Sequence, residues 1–319
     1  MHILVTEILH DIFFKILSKT SLKVDVKKDI SYEELFQIID EYDGIVIRSN
    51  LKIDKNLLEK VNNLKFIARL GSGLENIDIE YTNKKNIICI NTPEGNRNSV
   101  AEQCIGMLLC LLHKIHLSNQ SVKKLEWNRF NFIGTELENK TIGIIGFGNT
   151  GMLFAKKLLS FNVNILAYDK YKKNFSNYYV KESSLEEIKE YSDIISIHLP
   201  LTNETENLIN KEFINSVKKN FYLINTSRGK IVNTFDLYNS LIEGKILGAI
   251  LDVIEFETSN FKNLNNCPDY FIKMVSMPNV LITPHTAGLS EQSLYKMSFI
   301  LAKKILNIFE QLHYPIYEQ

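Results

Sequence analysis

The chain contains 319 residues, of which 45% are hydrophobic, and its 37 basic residues balance its 37 acidic residues. A chain of this length is expected to form two domains. The zero net charge argues against nucleic acid or an anionic membrane as the main partner. No apolar run approaches the roughly 20 residues that cross a bilayer. We therefore expect neither a nucleic-acid nor a membrane partner.

The first 96 residues alternate between short apolar runs and amphipathic stretches. A strand is predicted at residues 3–6. An amphipathic helix follows, and the side chains expected on its apolar face are Ile8, Leu9, Ile12, Phe13, Ile16 and Leu17. Further strands are predicted at residues 44–49, 64–71 and 86–93, with helices at 54–61 and 74–85. This alternation is typical of a parallel sheet that is covered by helices on both faces.

The N-terminal segment lacks the basic region and the small-residue cleavage site of a signal peptide. Its apolar stretch is interrupted by Glu7, His10 and Asp11. The four cysteines form neither a CxxC pair nor a cluster with the spacing of metal ligands, which predicts reduced, mostly buried thiols. We expect a cytoplasmic protein without a metal site.

A polar break is predicted at residues 91–98, and a long apolar helix is predicted at residues 99–117. Ser99 would cap this helix, because Glu102 stands three residues later, as in a capping box. Residues 119–140 are predicted to be irregular. A second alternating series then begins, with strands predicted at 141–146, 163–169, 193–199, 220–225, 246–252 and 279–284. The last helix, residues 290–312, is amphipathic and could pack onto the first domain.

The second series opens with a glycine-rich turn, in the stretch IGIIGFGNTGMLFAKKLLSFNVNILAYD (residues 142–169). Gly146, Gly148 and Gly151 follow an apolar strand and precede a helix, and Asp169 ends the next strand. This context is typical of a dinucleotide-binding turn, in which the glycines let a pyrophosphate approach the helix N-terminus. Asp169 would bind the adenosine ribose and repel a 2′-phosphate, which favours NAD over NADP. The neighbouring Lys170 weakens that preference.

The sequence therefore predicts an α/β protein with two Rossmann/flavodoxin-like, doubly wound parallel-sheet domains. Residues 1–96 and 289–319 would form a substrate domain. Residues 97–288 would form an NAD-binding domain that is inserted into it.

Three further stretches follow the glycine turn in a fixed order: LINTSRGKIV (residues 223–232), LDVIEFE (251–257) and ITPHTAG (282–288). Together with the turn, they resemble the D-isomer-specific 2-hydroxyacid dehydrogenase family over nearly the whole chain. Within that family, residues 45–78 and 91–151 are most similar to the phosphoglycerate dehydrogenases. The resemblance implies NAD-dependent oxidation of a D-2-hydroxy acid, foremost 3-phospho-D-glycerate to 3-phosphohydroxypyruvate in serine synthesis.

Two other functions stay open at the level of sequence. The same chemistry could act on glyoxylate, hydroxypyruvate or D-lactate. A protein with this fold could also bind NAD as a sensor without catalysis, because a fold alone does not determine function.

The resemblance implies three catalytic residues. His285 would be the base that accepts the hydroxyl proton, since imidazole titrates near neutral pH. Glu257 would hold the other ring nitrogen of that histidine. Arg228 would bind the substrate carboxylate through its planar guanidinium. The family usually has proline after this glutamate, whereas this chain has Thr258, so Glu255 is an alternative partner.

The remaining site residues are implied by motif. The cofactor-binding set is Gly146, Gly148, Asn149, Thr150, Gly151, Asp169, His198, Pro200, Thr226, Ser227, Asp252 and Gly288. The substrate-binding set, in the other domain, is Arg48, Arg69, Ser72 and Gly73, with the two arginines as candidates for a phosphate group. In this family a long apolar helix like that at 99–117 joins a dimer interface, so a homodimer is expected.

Overall fold

The computed structural model describes residues 1–258 and 263–313. The end of the predicted substrate domain, residues 314–319, lies outside the described residues, as do residues 259–262. The strands are β1 His2–Val5, β2 Lys23–Val26, β3 Gly44–Ile47, β4 Phe66–Arg69, β5 Ile88–Ile90, β6 Thr141–Ile145, β7 Asn164–Tyr168, β8 Lys181–Glu182, β9 Ile194–Ile197, β10 Phe221–Asn225, β11 Ile246–Leu251 and β12 Val280–Ile282.

The helices run in between. They are α1 Ile12–Leu17, α2 Tyr32–Ile38, α3 Lys55–Lys60, α4 Ile79–Lys84, α5 Pro93–Leu112, α6 Ile115–Lys123, α7 Asn149–Lys157, α8 Leu185–Tyr191, α9 Lys211–Ser216, α10 Thr234–Ile242, α11 Asp269–Val275 and α12 Glu291–His313. Short 3-10 turns lie at Ile39–Glu41, Arg129–Phe132, Leu158–Phe161 and Gly229–Ile231.

The chain divides into two compact units, residues 1–96 with 289–319 and residues 97–288. The first unit holds a parallel sheet of order β2-β1-β3-β4-β5 within the described residues. All four residues of β3 and of β4 are buried, as expected for parallel strands with helices on both faces. The order reverses beside β1, which is the flavodoxin-like arrangement.

The C-terminal helix α12 belongs to the core of the first unit. Met297, Leu301 and Ile305 are buried together with Ile3 and Phe13. The helix predicted after β1 begins later than expected, at Ile12, and Ile8 is 64% exposed. The prediction that Ile8 lies on the apolar face of this helix was therefore wrong, because residues 8–11 form no helical turn that would direct the Ile8 side chain to the core.

The second unit holds the larger parallel sheet, of order β12-β11-β10-β9-β6-β7-β8 within the described residues. From β6 the chain moves first to one side, through β7 and β8, and then to the other, through β9. The strand order therefore reverses at β6, and ligands bind at such a switch point, outside the carboxyl ends of the strands. The predicted architecture of two doubly wound parallel sheets is confirmed.

Successive residues of the central strands belong to two separate hydrophobic cores, one on each face of this sheet. Ile144 and Ile194 lie in one core, and Ile145 and Ile195 lie in the other. This follows from the two-residue period of a strand, which points successive side chains to opposite faces. The sheet is thus buried on both sides, and its carboxyl edge is left to form the site.

Helix α5 begins at Pro93, so the predicted start at Ser99 was wrong. Proline suits the first helical position, because its missing N–H has no intrahelical partner there and its φ is already helical. The residues that follow Pro93 continue the helix instead of interrupting it, and two of them contact α12. A Cβ on Gly95 would overlap Met297, and the Lys304 ammonium lies 3.0 Å from the Glu94 carboxylate. The capping-box spacing at Ser99 therefore falls inside a helix.

The region after α5 is more ordered than predicted. Lys114 adopts a left-handed conformation, α6 then runs to Lys123, and a 3-10 turn covers Arg129–Phe132. Within the described residues, no single helix is long and apolar enough to cross a bilayer. The α5–α6 pair meets that test on length and composition alone, with a 63° bend between its two parts.

Candidate functional site

The glycine turn follows β6 at the switch point, and each of its glycines has a local reason. Gly146 has φ +96°, and a Cβ there would overlap the carbonyl oxygen of His198. A Cβ on Gly151 would overlap the carbonyl oxygen of Gly146, so α7 can approach the strand only with glycine. A Cβ on Gly148 would meet no atom within 4 Å. The protein itself therefore does not require glycine at this position, whereas a bound group against the backbone would.

Helix α7 begins at Asn149 without a side-chain cap, because its N-cap residue is Gly148. The backbone N–H groups of Asn149 and Thr150 donate to no acceptor in the described part of the chain. Unpaired N–H groups and the positive end of the helix dipole suit an anion. The turn can therefore hold a phosphate group without rearrangement of its hydrogen bonds.

Asp169 stands directly after β7 and is held against the glycine turn. Its Oδ2 accepts a hydrogen bond from the N–H of Phe147 at 2.9 Å, and its Oδ1 accepts from the N–H groups of Tyr171 and Lys172. Burial alone would raise the pKa of Asp169, but these backbone hydrogen bonds outweigh it and lower the pKa. The carboxylate is therefore ionised near neutral pH and has a fixed orientation.

His198 follows β9 and points into the protein. Its Nε2 lies 2.9 Å from the Ser196 hydroxyl, and its ring packs against Phe154 of α7. Burial lowers its pKa to about 4, so the ring is neutral. Pro200 is exposed, and its carbonyl oxygen accepts a hydrogen bond from Thr205. At this position the backbone, rather than the imidazole, lines the edge of the sheet.

The turn after β10 is organised by Asn225, which the sequence reasoning missed. Its Oδ1 accepts from the N–H and the hydroxyl of Ser227, and its Nδ2 donates to the carbonyl oxygen of Arg228. Thr226 contacts the buried thiol of Cys104 at 3.1 Å. The only signal in the sequence was the position of this asparagine at a strand end before TSRG. Its amide fixes the turn that carries the Arg228 guanidinium.

Gly229 brings the arginine turn against the segment that carries the acidic residues. A Cβ at this position would overlap the backbone of Ile254. The N–H of Ile254 donates to Oε1 of Glu257 at 2.5 Å. The Arg228 turn and the Glu257 carboxylate are thus fixed to the same short stretch of backbone.

His285 and Glu257 are in direct contact. Nδ1 of His285 lies 2.6 Å from Oε2 of Glu257, and both side chains are mostly buried. The other acidic candidate, Glu255, is engaged elsewhere, because its carboxylate accepts from the N–H and the hydroxyl of Thr234. The geometry therefore selects Glu257 over Glu255 as the partner of this imidazole.

Asp252 is 1% exposed and shapes the turn that presents His285. Its carboxylate accepts from the N–H groups of Thr286 and Ala287 and from the hydroxyl of Thr283. Burial raises the pKa of Asp252 despite these hydrogen bonds. The side chain is thus turned inward, and its contact with the cofactor stays a prediction.

The backbone of this turn is held in the same way. The carbonyl oxygen of Asp252 accepts from the N–H of His285, whose φ is +53°. The Gln103 amide of α5 also reaches the Asp252 carboxylate, at 3.1 Å, and this contact was missed because no spacing rule marks it. Gly288 ends the unit directly after the turn and is partly exposed.

The substrate candidates lie in the first unit. Arg69 is 6% exposed, and its guanidinium donates to the carbonyl oxygens of Arg48 and Gly73. It therefore holds a loop together, and its role as a phosphate ligand stays a prediction. The Ser72 hydroxyl donates to Asn96, and the N–H groups of Ser72 and Gly73 have no acceptor among the described residues. Arg48 is partly exposed at the end of β3.

Within the described residues, no group of three or more His, Cys, Asp or Glu side chains could hold a metal ion. All four cysteines are free thiols. Burial raises the pKa of the Cys104 thiol to about 12. A buried thiol of this kind is unreactive near neutral pH.

Comparisons with known proteins agree with this geometry. The model of the D-isomer specific 2-hydroxyacid dehydrogenase NAD binding domain matches residues 105–287. A D-3-phosphoglycerate dehydrogenase of Archaeoglobus fulgidus is 34% identical over 98% of this chain and 58% of its own length. A hydroxypyruvate reductase of Thermotoga maritima is 35% identical over 91% of this chain and 92% of its own length.

The chain thus spans a little over half of the phosphoglycerate dehydrogenase that it matches. A solved structure with a similar fold is that of a D-lactate dehydrogenase from Aquifex aeolicus, complexed with NAD and lactic acid. It is 30% identical to this chain, with a TM-score of 0.82, and the match covers 97% of this chain and 96% of that one.

Proposed function

Since this chain belongs to the D-isomer specific 2-hydroxyacid dehydrogenase family, we propose that it is an NAD-dependent oxidoreductase of a D-2-hydroxy acid. The observation that carries the proposal is the 2.6 Å contact between His285 and Glu257, next to the Arg228 turn at the carboxyl edge of one sheet. NAD would supply the hydride acceptor. The glycine turn would hold the cofactor pyrophosphate, and Asp169 would hold its ribose.

The catalytic roles follow from the chemistry of each group. The imidazole of His285 would accept the hydroxyl proton as the hydride leaves the same carbon, and it would return the proton in reduction. Glu257 would fix the tautomer and orientation of the ring and stabilise the imidazolium. Arg228 would bind the substrate carboxylate through its planar guanidinium and polarise a keto oxygen.

We propose 3-phospho-D-glycerate as the substrate, with 3-phosphohydroxypyruvate as the product and serine synthesis as the pathway. The similarity to phosphoglycerate dehydrogenases supports this choice. Arg48 is the better phosphate candidate, since Arg69 is buried on carbonyl oxygens. The open N–H groups of Ser72 and Gly73 are suited to an anionic group.

A second substrate is favoured by a specific observation. The hydroxypyruvate reductase of Thermotoga maritima is 35% identical to this chain, which makes it as similar as the phosphoglycerate dehydrogenase of Archaeoglobus fulgidus at 34%. Reduction of hydroxypyruvate or glyoxylate would use the same three catalytic residues. It would need no phosphate ligand.

One set of rates separates these proposals. The kcat/KM with NAD would be compared for 3-phosphoglycerate, glycerate and D-lactate, and in reverse with NADH for phosphohydroxypyruvate, hydroxypyruvate and glyoxylate. A preference for the phosphorylated acids that is lost in Arg48→Gln, but kept in the neighbouring surface variant Lys52→Gln, supports the first substrate. Binding of NADH without turnover of any acid would instead indicate a non-enzymatic NAD sensor.

We further propose a cytoplasmic homodimer. Four free thiols are suited to a reducing compartment. An apolar group of residues after α6 is solvent-exposed in the single chain, including Trp127 at 80% and Phe130 at 83%. Exposed apolar patches of this kind are typical of protein interfaces.

A further inference from the structure

An ion pair joins the two loops that flank the glycine turn. Strands β7 and β9 lie on either side of β6, so the loops that leave their carboxyl ends flank the turn that follows β6. Nζ of Lys170, just after β7, lies 2.7 Å from Oε2 of Glu204, in the loop after β9. The Tyr171 hydroxyl donates to the same oxygen at 3.0 Å.

Glu204 is presented by an ordered turn. The Thr205 hydroxyl donates to the carbonyl oxygen of Pro200 at 2.6 Å and accepts from the N–H of Thr202 at 2.8 Å. The N–H of Glu206 donates to the carbonyl oxygen of Thr202. The carboxylate is thus held toward the loop after β7 before any ligand arrives.

The charges around Asp169 indicate a role for the Lys170–Glu204 ion pair. Asp169 disfavours a 2′-phosphate, but Lys170 and Lys172 stand beside it. The Lys172 ammonium lies 3.1 Å from the carbonyl oxygen of Phe147, in the glycine turn. The Lys170 ammonium would be the more available cation for a phosphate on the ribose, since it projects into solvent, but Glu204 holds it. Its hydrogen bond to Glu204 raises the pKa of Lys170, which keeps the charge of the pair intact.

We propose that Glu204 is a cofactor-selectivity residue. It withholds the Lys170 ammonium from the 2′-phosphate of NADP, and its own carboxylate repels that phosphate. The inference rests on the proposed function, since it assumes that the adenosine ribose lies at Asp169. It extends selectivity from the ribose-binding acid to a residue 35 positions away in sequence, on a different loop.

The test is the pair of dissociation constants for NADH and NADPH, measured by cofactor fluorescence on the full chain. Glu204→Gln should tighten NADPH binding about fivefold, which is the size expected for an exposed charge pair, and leave NADH binding nearly unchanged. The gain should shrink as salt is added, since the charges are exposed. Adding Lys170→Gln to Glu204→Gln should remove the part of the gain that comes from the released ammonium and leave only the smaller part that comes from the lost repulsion.

The matched control is Glu206→Gln, two residues along the same loop. Its carboxylate lies 3.8 Å from the Lys230 ammonium, so it pairs with a different lysine. An unchanged NADPH/NADH ratio in Glu204→Gln, or an equal change in Glu206→Gln, overturns the selectivity role and leaves the proposed function standing. A wild-type chain that binds neither nucleotide overturns both.

Discussion

Nδ1 of His285 and Oε2 of Glu257 are 2.6 Å apart, although the two residues are 28 positions apart in sequence. Two separate constraints produce this contact. The backbone N–H of Ile254 fixes the other oxygen of Glu257, and the buried Asp252 fixes the turn that carries His285. The imidazole is therefore oriented from both sides before any substrate binds, which is the pre-organisation that a general base needs.

Glu257→Gln should lower kcat by about 10²-fold or more, because a neutral amide neither fixes the tautomer nor stabilises the imidazolium. Binding of NADH should not change, since the glycine turn is untouched. The measurements are kcat and NADH affinity on the purified variant. Glu255→Gln is the control, because its carboxylate contacts Thr234, and it should keep most of the activity. Equal losses in both variants would mean that the effect is structural.

His285→Gln should abolish turnover and leave NADH binding nearly unchanged, because the variant removes the proton acceptor without altering the cofactor turn. Rates would be measured in both directions of the reaction, beside an NADH titration. Turnover comparable to that of the wild type in this variant would remove His285 from the mechanism.

The sheets could be predicted well from the sequence, because strands buried on both faces read as continuous apolar runs. Strands β6, β9 and β10 all fall inside the predicted stretches. The edge strands β2 and β8 were missed, since their sequences, KVDV and KE, are short and polar. An edge strand buries less surface, so the apolar signal is weak there.

The site could be predicted only in part from the sequence. Glycine spacing marks the turn after β6, because backbone geometry demands those residues. The amides of Asn225 and Gln103 follow no such rule, although they hold the turns that carry Arg228 and His285. Nor did the sequence indicate that the Arg69 guanidinium lies on the backbone carbonyls of Arg48 and Gly73, although its place at a strand end was evident.

Gly148→Ala should leave the fold intact but weaken NADH binding by at least about tenfold. An added methyl group meets no protein atom within 4 Å, but it would stand where the pyrophosphate approaches the backbone. Gly151→Ala should instead destabilise the chain by roughly 1–3 kcal/mol, because its methyl group would overlap the carbonyl oxygen of Gly146. Thermal unfolding and NADH titration of both variants distinguish the two effects. Tight NADH binding by Gly148→Ala would place the cofactor elsewhere.

The double variant Trp127→Ser, Phe130→Ser should convert the proposed dimer to a monomer at micromolar concentration. Each substitution should remove about 2 kcal/mol of the association free energy that burial of the aromatic side chain provides. Each loss occurs twice, because a two-fold interface contains both copies of the residue. Size-exclusion chromatography with light scattering measures the result. Tyr178→Ser, which changes an aromatic residue of similar exposure (88%) in the loop before β8, is the control and should stay dimeric. A wild-type monomer would rule out the interface.

The neutral His198 should make the second unit less stable in mild acid. Its folded pKa, about 4, lies below the ordinary value of 6.5. As the pH falls through 6.5, the unfolded chain takes up the proton first, so His198 contributes fully above that pH and its contribution is lost down to about pH 4. The loss should reach about 3 kcal/mol near pH 4. His198→Gln, which keeps a hydrogen-bonding group for Ser196, should show a smaller fall in Tm between neutral and acidic pH than the wild type. The exposed His113→Gln should match the wild type, and an equal fall in all three proteins would show that His198 titrates normally.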